Sequence, residues 1–242
     1  MSLATYDEFF YNGKTYSIDI LIKAAKKSHG TIGCYQNEIF CPECKKARLK
    51  FTNATHNKRA YLSTINLNEH EDWCSYKYKL ASKIEVKNSF SKLKNNEIED
   101  KMNSIVRKLF QNKEKNSIGN IGNYKNTDNP FLINIKKYNS NKKVIPQRSL
   151  NLYIDIKEFS KNEDIYIFYA KEINFQYVKA KTNDKCSLLQ IITKANQNID
   201  IYGTNININE NLKYNFVCIG YFNKYKKIQL LNSKSIKIFQ YE

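Results

Sequence analysis

Glycine and proline are scarce in this chain, seven and three in 242 residues, and histidine is limited to three. None of the glycines falls into GxGxxG or GxxxxGK[ST], so no loop is set up to cradle a nucleotide phosphate on its backbone amides. GxSxG and HExxH are absent as well, and three histidines leave little for a histidine-based triad. No paired-carboxylate site stands out. No catalytic residue is therefore assigned, and the sequence supports no enzymatic activity. Nor does any stretch approach the ~20 apolar residues that cross a bilayer. Residues 1–10 carry acids and no apolar core, unlike a secretory signal. With no signal and six cysteines, a reducing interior is expected, and with it a cytoplasmic protein that engages no membrane.

Arginine is rare too: Arg48, Arg59, Arg107 and Arg148 are the four among 40 basic residues, set against 23 acidic ones. The resulting formal charge of +17 points to a polyanionic partner. The preference for Lys, Asn, Ile and Tyr is also the bias of an AT-rich genome, so part of this charge is compositional. Its distribution is more telling. Residues 1–80 hold 12 basic and 8 acidic residues, 81–148 hold 15 and 6, and 149–242 hold 13 and 9. The excess is concentrated in the middle segment. Hydrophobic residues at 41% and aromatics at 13% suffice for real cores.

Local patterns suggest three regions. In residues 1–80, Asn12-Gly13 reads as a type I′ turn between two short strands. Ser17 then reads as an N-cap, Ile18, Leu21, Ile22 and Ala25 as one helical stripe, and Gly30 as a stop. Short strands follow over 39–64. In residues 81–148, a helical segment and a basic Asn/Lys-rich linker are expected. Residues 76–93 permit helix, and Ile98, Met102, Ile105, Val106 and Leu109 make 96–110 a convincing one, with acids early and bases late. Residues 111–129 lose all periodicity. From 149 to 242 the pattern reads as β throughout: residues 150–156 alternate, and runs at 165–170, 173–180, 188–193, 199–202, 214–222, 228–231 and 236–241 follow at short spacing. The expected class is α+β, a zinc-finger module with helices followed by a small all-β barrel resembling an OB-fold.

The strongest chemical signal is Cys41-Pro42-Glu43-Cys44, a C-x₂-C turn that aims two thiolates at one metal. His70 and Cys74 stand four positions apart, as on one turn of a helix, and complete C-x₂-C-x₂₅-H-x₃-C. Four ligands with none to spare predict one closed, structural zinc ion. His56 reads as a turn tip, Cys34 lacks a paired spacing, His29 as a solvated helix end, and Cys186 and Cys218 as core residues.

Around these ligands residues 15–80 resemble the N-terminal zinc-finger region of competence CoiA-like proteins. The resemblance rests on Ile22-Lys23-Ala24-Ala25-Lys26, on Cys41-Pro42-Glu43-Cys44, on Arg48-Leu49-Lys50-Phe51, and on His70 with Cys74. Where that family carries a short Phe-x-His before its last Cys, this chain has Tyr61-Leu62-Ser63 and a longer 64–69 segment. The resemblance implies handling of foreign or mobile DNA. It also implies a nuclease-like domain, of which this sequence offers only Asp155-Ile156-Lys157, read as part of an exposed alternating strand.

Binding is the better reading. Lys45, Lys46, Arg48, Lys50 and Arg59 in the finger, with Lys136, Lys137, Lys142 and Lys143 in the middle segment, are the expected phosphate contacts. In the barrel, Tyr177, Lys179 and Lys181 share one strand face, and Tyr221, Lys224, Tyr225 and Lys226 gather at a hairpin, a mixture of rings and cations suited to single strands. A non-enzymatic nucleic-acid-binding protein is expected, DNA being favoured. Its rivals are a protein-interaction module and a divergent nuclease with carboxylates gathered at Asp155.

Overall fold

The computed structural model describes residues 6–56, 58–110, 129–135, 141–180, 183–202 and 206–241. Of these, residues 6–80 with Asn129 form one compact unit, and 81–110 with 130–241 form a second. Apart from Asn129, the expected linker lies outside the described residues, as do Lys136 and Lys137.

The first unit opens with an antiparallel hairpin, β1 (Glu8–Tyr11) and β2 (Lys14–Ser17). Asn12 and Gly13 take φ of 43° and 81°, the left-handed pair that a type I′ turn requires. Ser17 caps α1 (Ile18–Lys27) by accepting the Asp19 N–H at 3.1 Å. The helix buries Ile18, Leu21 and Ala25. Gly30 closes it with φ of 101° and an N–H bond to the Ala25 carbonyl at 2.8 Å. A second hairpin, β3 (Leu49–Thr52) with β4 (Tyr61–Thr64), follows. Phe10 and Phe40 exchange backbone bonds of 2.8 and 2.9 Å, which ties the first hairpin to the strand running into Cys41. The core of the unit is small: Phe9, Leu21, Ile39, Leu49 and Leu62 are fully buried, and Tyr6, Ile18 and Ile32 nearly so.

The second unit begins with α2 (Lys83–Phe90) and α3 (Asn95–Phe110). Ser82 and Glu85 form a capping box on α2, so the permissive stretch becomes α-helical only from Lys83. Then come β5 (Leu132–Ile135), β6 (Asn141–Val144), β7 (Gln147–Ser149) and α4 (Ile156–Asn162). Five strands follow: β8 (Tyr166–Ala180), β9 (Asn183–Ile192), β10 (Asn198–Tyr202), β11 (Tyr214–Phe222) and β12 (Ile228–Leu230). β13 (Ile236–Gln240) ends the unit, paired to β11.

Those five strands close into a barrel in the order β8-β9-β10-β12-β11-β8. β10 and β12 run parallel, and the other four pairings are antiparallel. This 1-2-3-5-4-1 circuit is that of an OB-like barrel. Closure depends on β8, whose 15 residues serve both neighbours. A register shift opposite Tyr214 and Phe216, with Glu172 at φ of 55°, bends the strand between its two partners. Rings fill the interior, with Phe168 edge-on to Phe222 at 5.2 Å and Phe175 to Phe216 at 6.0 Å.

One expectation of the strand pattern needs correction. Residues 150–156 are not a strand: Asp155 accepts the N–H groups of Lys157 (3.0 Å) and Glu158 (3.3 Å) and starts α4. A capping carboxylate followed by Phe159, which is buried in the barrel core, overrode the period-2 alternation. Residues 81–110 and 130–149 belong to the same compact unit as the barrel. Ile167, Val217 and Ile219, of opposite parity to the barrel interior, are fully buried nonetheless, and α3 meets β13 through Phe110, edge-on to Phe239 at 5.2 Å. Among the described residues no helix is long and apolar enough to cross a membrane.

Lys101 of α3 is a polar exception within this layer. Its Nζ donates to the Leu132 carbonyl at 3.1 Å, and burial pushes its pKa from 10.5 down to about 8. Below pH 8 the group is charged in both states, and the folded state bears the desolvation cost. Between pH 8 and 10.5 the folded form is neutral while the unfolded chain still binds the proton, so stability rises with pH. The urea midpoint of this unit is expected to gain more across that window in the wild type than in Lys101→Met. The variant is expected to have the higher midpoint at pH 7.

Candidate metal centre and nucleic-acid surface

Cys41, Cys44, His70 and Cys74 converge, all buried, with ligand atoms within 4.8 Å of one another. The Cys41-to-Cys44 turn is wound by two backbone bonds, Cys41 N–H to Ala47 at 2.8 Å and Lys45 N–H to Cys41 at 2.9 Å, with Lys45 in the left-handed region at φ of 59°. His70 and Cys74 are not on a helix. Both have extended backbones and flank a turn closed by the Cys74 N–H on the Glu71 carbonyl at 2.9 Å. That turn brings the two ligands as close as a helical turn would, Cys74 Sγ lying 3.3 Å from His70 Nδ1.

Three edges of the set come near those around one tetrahedral ion. Cys41 Sγ and Cys74 Sγ are 3.7 Å apart, and Cys44 Sγ is 3.4 Å from His70 Nδ1. Metal–sulfur bonds of about 2.3 Å give tetrahedral edges of about 3.8 Å. Charge argues the same way. Burial drives the Cys41 thiol far up, and hydrogen bonding among the sulfurs does the same to Cys74. Bonds from those two thiols push the Cys44 thiol down. Three sulfurs this close cannot all ionise by themselves, and a dication bound among them would supply the compensating charge.

Support behind the ligands is specific. With Nδ1 turned to the sulfurs, His70 Nε2 lies 3.1 Å from Tyr6 Oη and 3.0 Å from Thr64 Oγ1, and those hydroxyls also contact each other. Tyr6 stacks on Tyr76 with centroids 4.1 Å apart, and burial pushes its hydroxyl pKa far up. Glu43 accepts both the N–H and the hydroxyl of Ser75, at 3.0 and 3.1 Å, fastening the first ligand turn to the second. Asn129 donates to the Trp73 carbonyl and to Ser75 Oγ, each at 2.9 Å. Nothing in the local sequence around Tyr6 or Asn129 signals these roles, since both arrive from distant segments.

The expected phosphate contacts fare unevenly. Lys46 is paired with Glu71 and Arg48 with Glu69, while Lys45 lies over the Phe10 ring at 4.8 Å. Lys50 and Arg59 are exposed and have no ion pair among the described residues. Lys142 is exposed, and Lys143 is paired with Glu85 at 2.6 Å. Tyr177 is exposed and donates its hydroxyl to the Ile206 carbonyl. The Lys179 side chain and Lys181 lie outside the described residues. Tyr221 is half-buried beneath two lysines of α2, Lys83 at 5.4 Å and Lys87 at 5.5 Å.

The β11–β12 turn presents the clearest charge. Asn223 Oδ1 accepts the N–H groups of Tyr225 (3.0 Å) and Lys227 (3.2 Å), and Lys226 takes φ of 62°. Held in this way, Lys224, Tyr225 and Lys226 are all exposed. Sequence reasoning missed the outer face beside them. There Gln176 donates to Gln190 at 2.6 Å and Gln190 to Asp200 at 2.7 Å, and Tyr202 is 54% exposed.

Cys34, His29 and His56 are exposed, and Cys218 is a core residue whose thiol pKa burial raises. The four finger ligands are the one Cys/His/acid group among the described residues disposed to hold a metal. Asp155, spent on capping α4, belongs to no such group. Comparison with family models, with curated proteins and with solved structures finds no match to the chain.

Proposed function

We propose that this protein binds nucleic acid without transforming it, DNA before RNA, and that its finger is held by one structural zinc ion. The observation that carries this reading is the turn between β11 and β12. It displays Lys224, Tyr225 and Lys226 to solvent, with no ion pair for either lysine among the described residues. In barrels of this strand order, the loop between strands four and five and the face of strands two and three are where oligonucleotides lie. Here that face carries Tyr202 and Gln190. Bases stack on exposed rings with little regard to sequence, and lysines take the phosphates. The finger adds Lys50 and Arg59, exposed and with no ion pair among the described residues, and Lys45, which lies over the Phe10 ring. The resemblance of residues 15–80 to the CoiA-like module supports a role in the handling of foreign or mobile DNA.

Fluorescence anisotropy of the zinc-loaded protein with labelled single- and double-stranded DNA, across a salt series, tests this. Binding at micromolar or tighter Kd in ~0.15 M salt, weakening steeply as salt rises, is the expected result. Absence of binding at that salt overturns it. Ile65, 55% exposed, and Leu67, 37% exposed, favour a second reading, a protein partner for the finger, which such a failure would bring forward.

A further inference from the structure

Given the nucleic-acid reading, we propose that α2 extends the binding surface, with Lys83 and Lys87 over Tyr221 and Lys224 of the adjoining turn forming a phosphodiester-binding cluster. Lys83 and Lys87 stand one turn apart on α2, so their side chains leave the helix on the same side. Both ammonium groups lie over the Tyr221 ring, at 5.4 and 5.5 Å. Tyr221 sits two residues before the Asn223 turn, which itself supplies Lys224. Ring and helix therefore meet the same loop that displays Tyr225 and Lys226.

Among the described residues, Glu163 is the carboxylate paired with a member of this group. Glu163 is held at the end of α4 in the left-handed conformation, at φ of 47°, and accepts Lys83 at 2.8 Å. Lys83, then Lys87 and Lys224, hold its carboxyl pKa below the ordinary carboxylate value. Lys83 alone is paired with this acid, while Lys87 lies over the Tyr221 ring and Lys224 over the Tyr225 ring at 5.0 Å. Lys87 and Lys224 are exposed and have no ion pair among the described residues.

Lys83 and Lys87 share one ring and repel one another, and an incoming anion relieves that repulsion. The Tyr221 ring for Lys83 and Lys87, Glu163 for Lys83 and the Tyr225 ring for Lys224 limit the wandering of the lysines, which lowers the entropy lost when they grip a phosphate. A single-stranded phosphodiester chain fits this arrangement. Its bases would lie on the rings at the barrel face and its phosphates would pass along α2. Lys83 and Lys87 come from the middle of the chain, where the charge excess is greatest, so the cluster gives that excess a role.

The test compares the slope of log K against log salt for a labelled oligothymidine. It uses the full-length wild type, Lys87→Gln/Lys224→Gln, and Lys26→Gln/Lys27→Gln as a control on exposed lysines of the other unit. The first double variant is expected to lose about 1.4 from the slope, two contacts at ~0.7 each, and to bind at least about tenfold more weakly. The control is expected to match the wild type. If the wild type binds and Lys87→Gln/Lys224→Gln has the same slope and affinity, the proposal falls and the nucleic-acid reading stands. If the wild type binds no oligonucleotide, that reading falls, and inorganic tripolyphosphate followed by amide shifts decides the cluster. Shifts confined to residues 83–87, 163 and 221–226 sustain an anion site there, and their absence overturns it.

Discussion

Purified protein is expected to carry one zinc ion per chain, and Cys74→Ser to release it and unfold residues 6–80 while the barrel remains folded. The reason lies in the balance of the first unit. Its large buried side chains are few, Phe9, Leu21, Ile39, Leu49 and Leu62 among them, and a core of this size supplies little net stability by itself. Structural zinc contributes apparent free energies of about 10–16 kcal/mol in finger modules. Its loss therefore exceeds what such a unit can spare. The ligands also hold together segments with no other strong reason to meet, the turn at Cys41 and the loop from His70 to Cys74. The second unit has its own ring-filled interior and needs no ion. Elemental analysis of the wild type and of Cys74→Ser, with backbone amide spectra of both, checks this. Dispersed resonances for residues 6–80 in the metal-free variant would refute the structural role.

Gly220→Ala is expected to cost the barrel about 3 kcal/mol, a fall in thermal midpoint on the order of 10 °C. Gly220 lies on β11 opposite Leu230 on one side and Tyr166 on the other. A Cβ there would stand 2.4 Å from the Gln229 carbonyl oxygen and 3.2 Å from its carbon. Those are backbone atoms of β12 and cannot rotate aside as a side-chain tip would. Relief requires β11 and β12 to part, which opens the barrel and displaces the Asn223 turn between them. Oligonucleotide affinity is expected to fall with stability. Differential scanning calorimetry reads the effect on the barrel transition, and a midpoint within about 2 °C of wild type would show that β12 gives way more easily than this packing implies.

Elements with a local code are legible in the sequence. Asn12-Gly13 makes its turn because few other residues accept two successive positive φ angles. Ser17 starts a helix because its hydroxyl can satisfy the Asp19 N–H, and α3 follows from apolar residues three and four apart. The metal ligands are legible for the same reason, since a C-x₂-C turn is a local object. Where two local codes compete, the reading fails. At residues 150–156 an alternating pattern masks the Asp155 cap, and between His70 and Cys74 the four-residue spacing fits a turn as well as a helix.

By itself, then, the sequence determined the ligand set, the α+β class and most of the strands of the barrel, because each rests on spacing within a few residues. Tertiary structure alone decided how those strands close, since β11 meets β8 and β10 meets β12 across long separations that no periodicity encodes. It also decided which charges remain to act. Lys46 and Arg48 are taken by Glu71 and Glu69, more than 20 residues away, whereas Lys87 and Lys224 are left exposed over the Tyr221 and Tyr225 rings. Charge counts along a chain cannot separate these cases, because an ion pair is settled by which side chains the fold brings within reach.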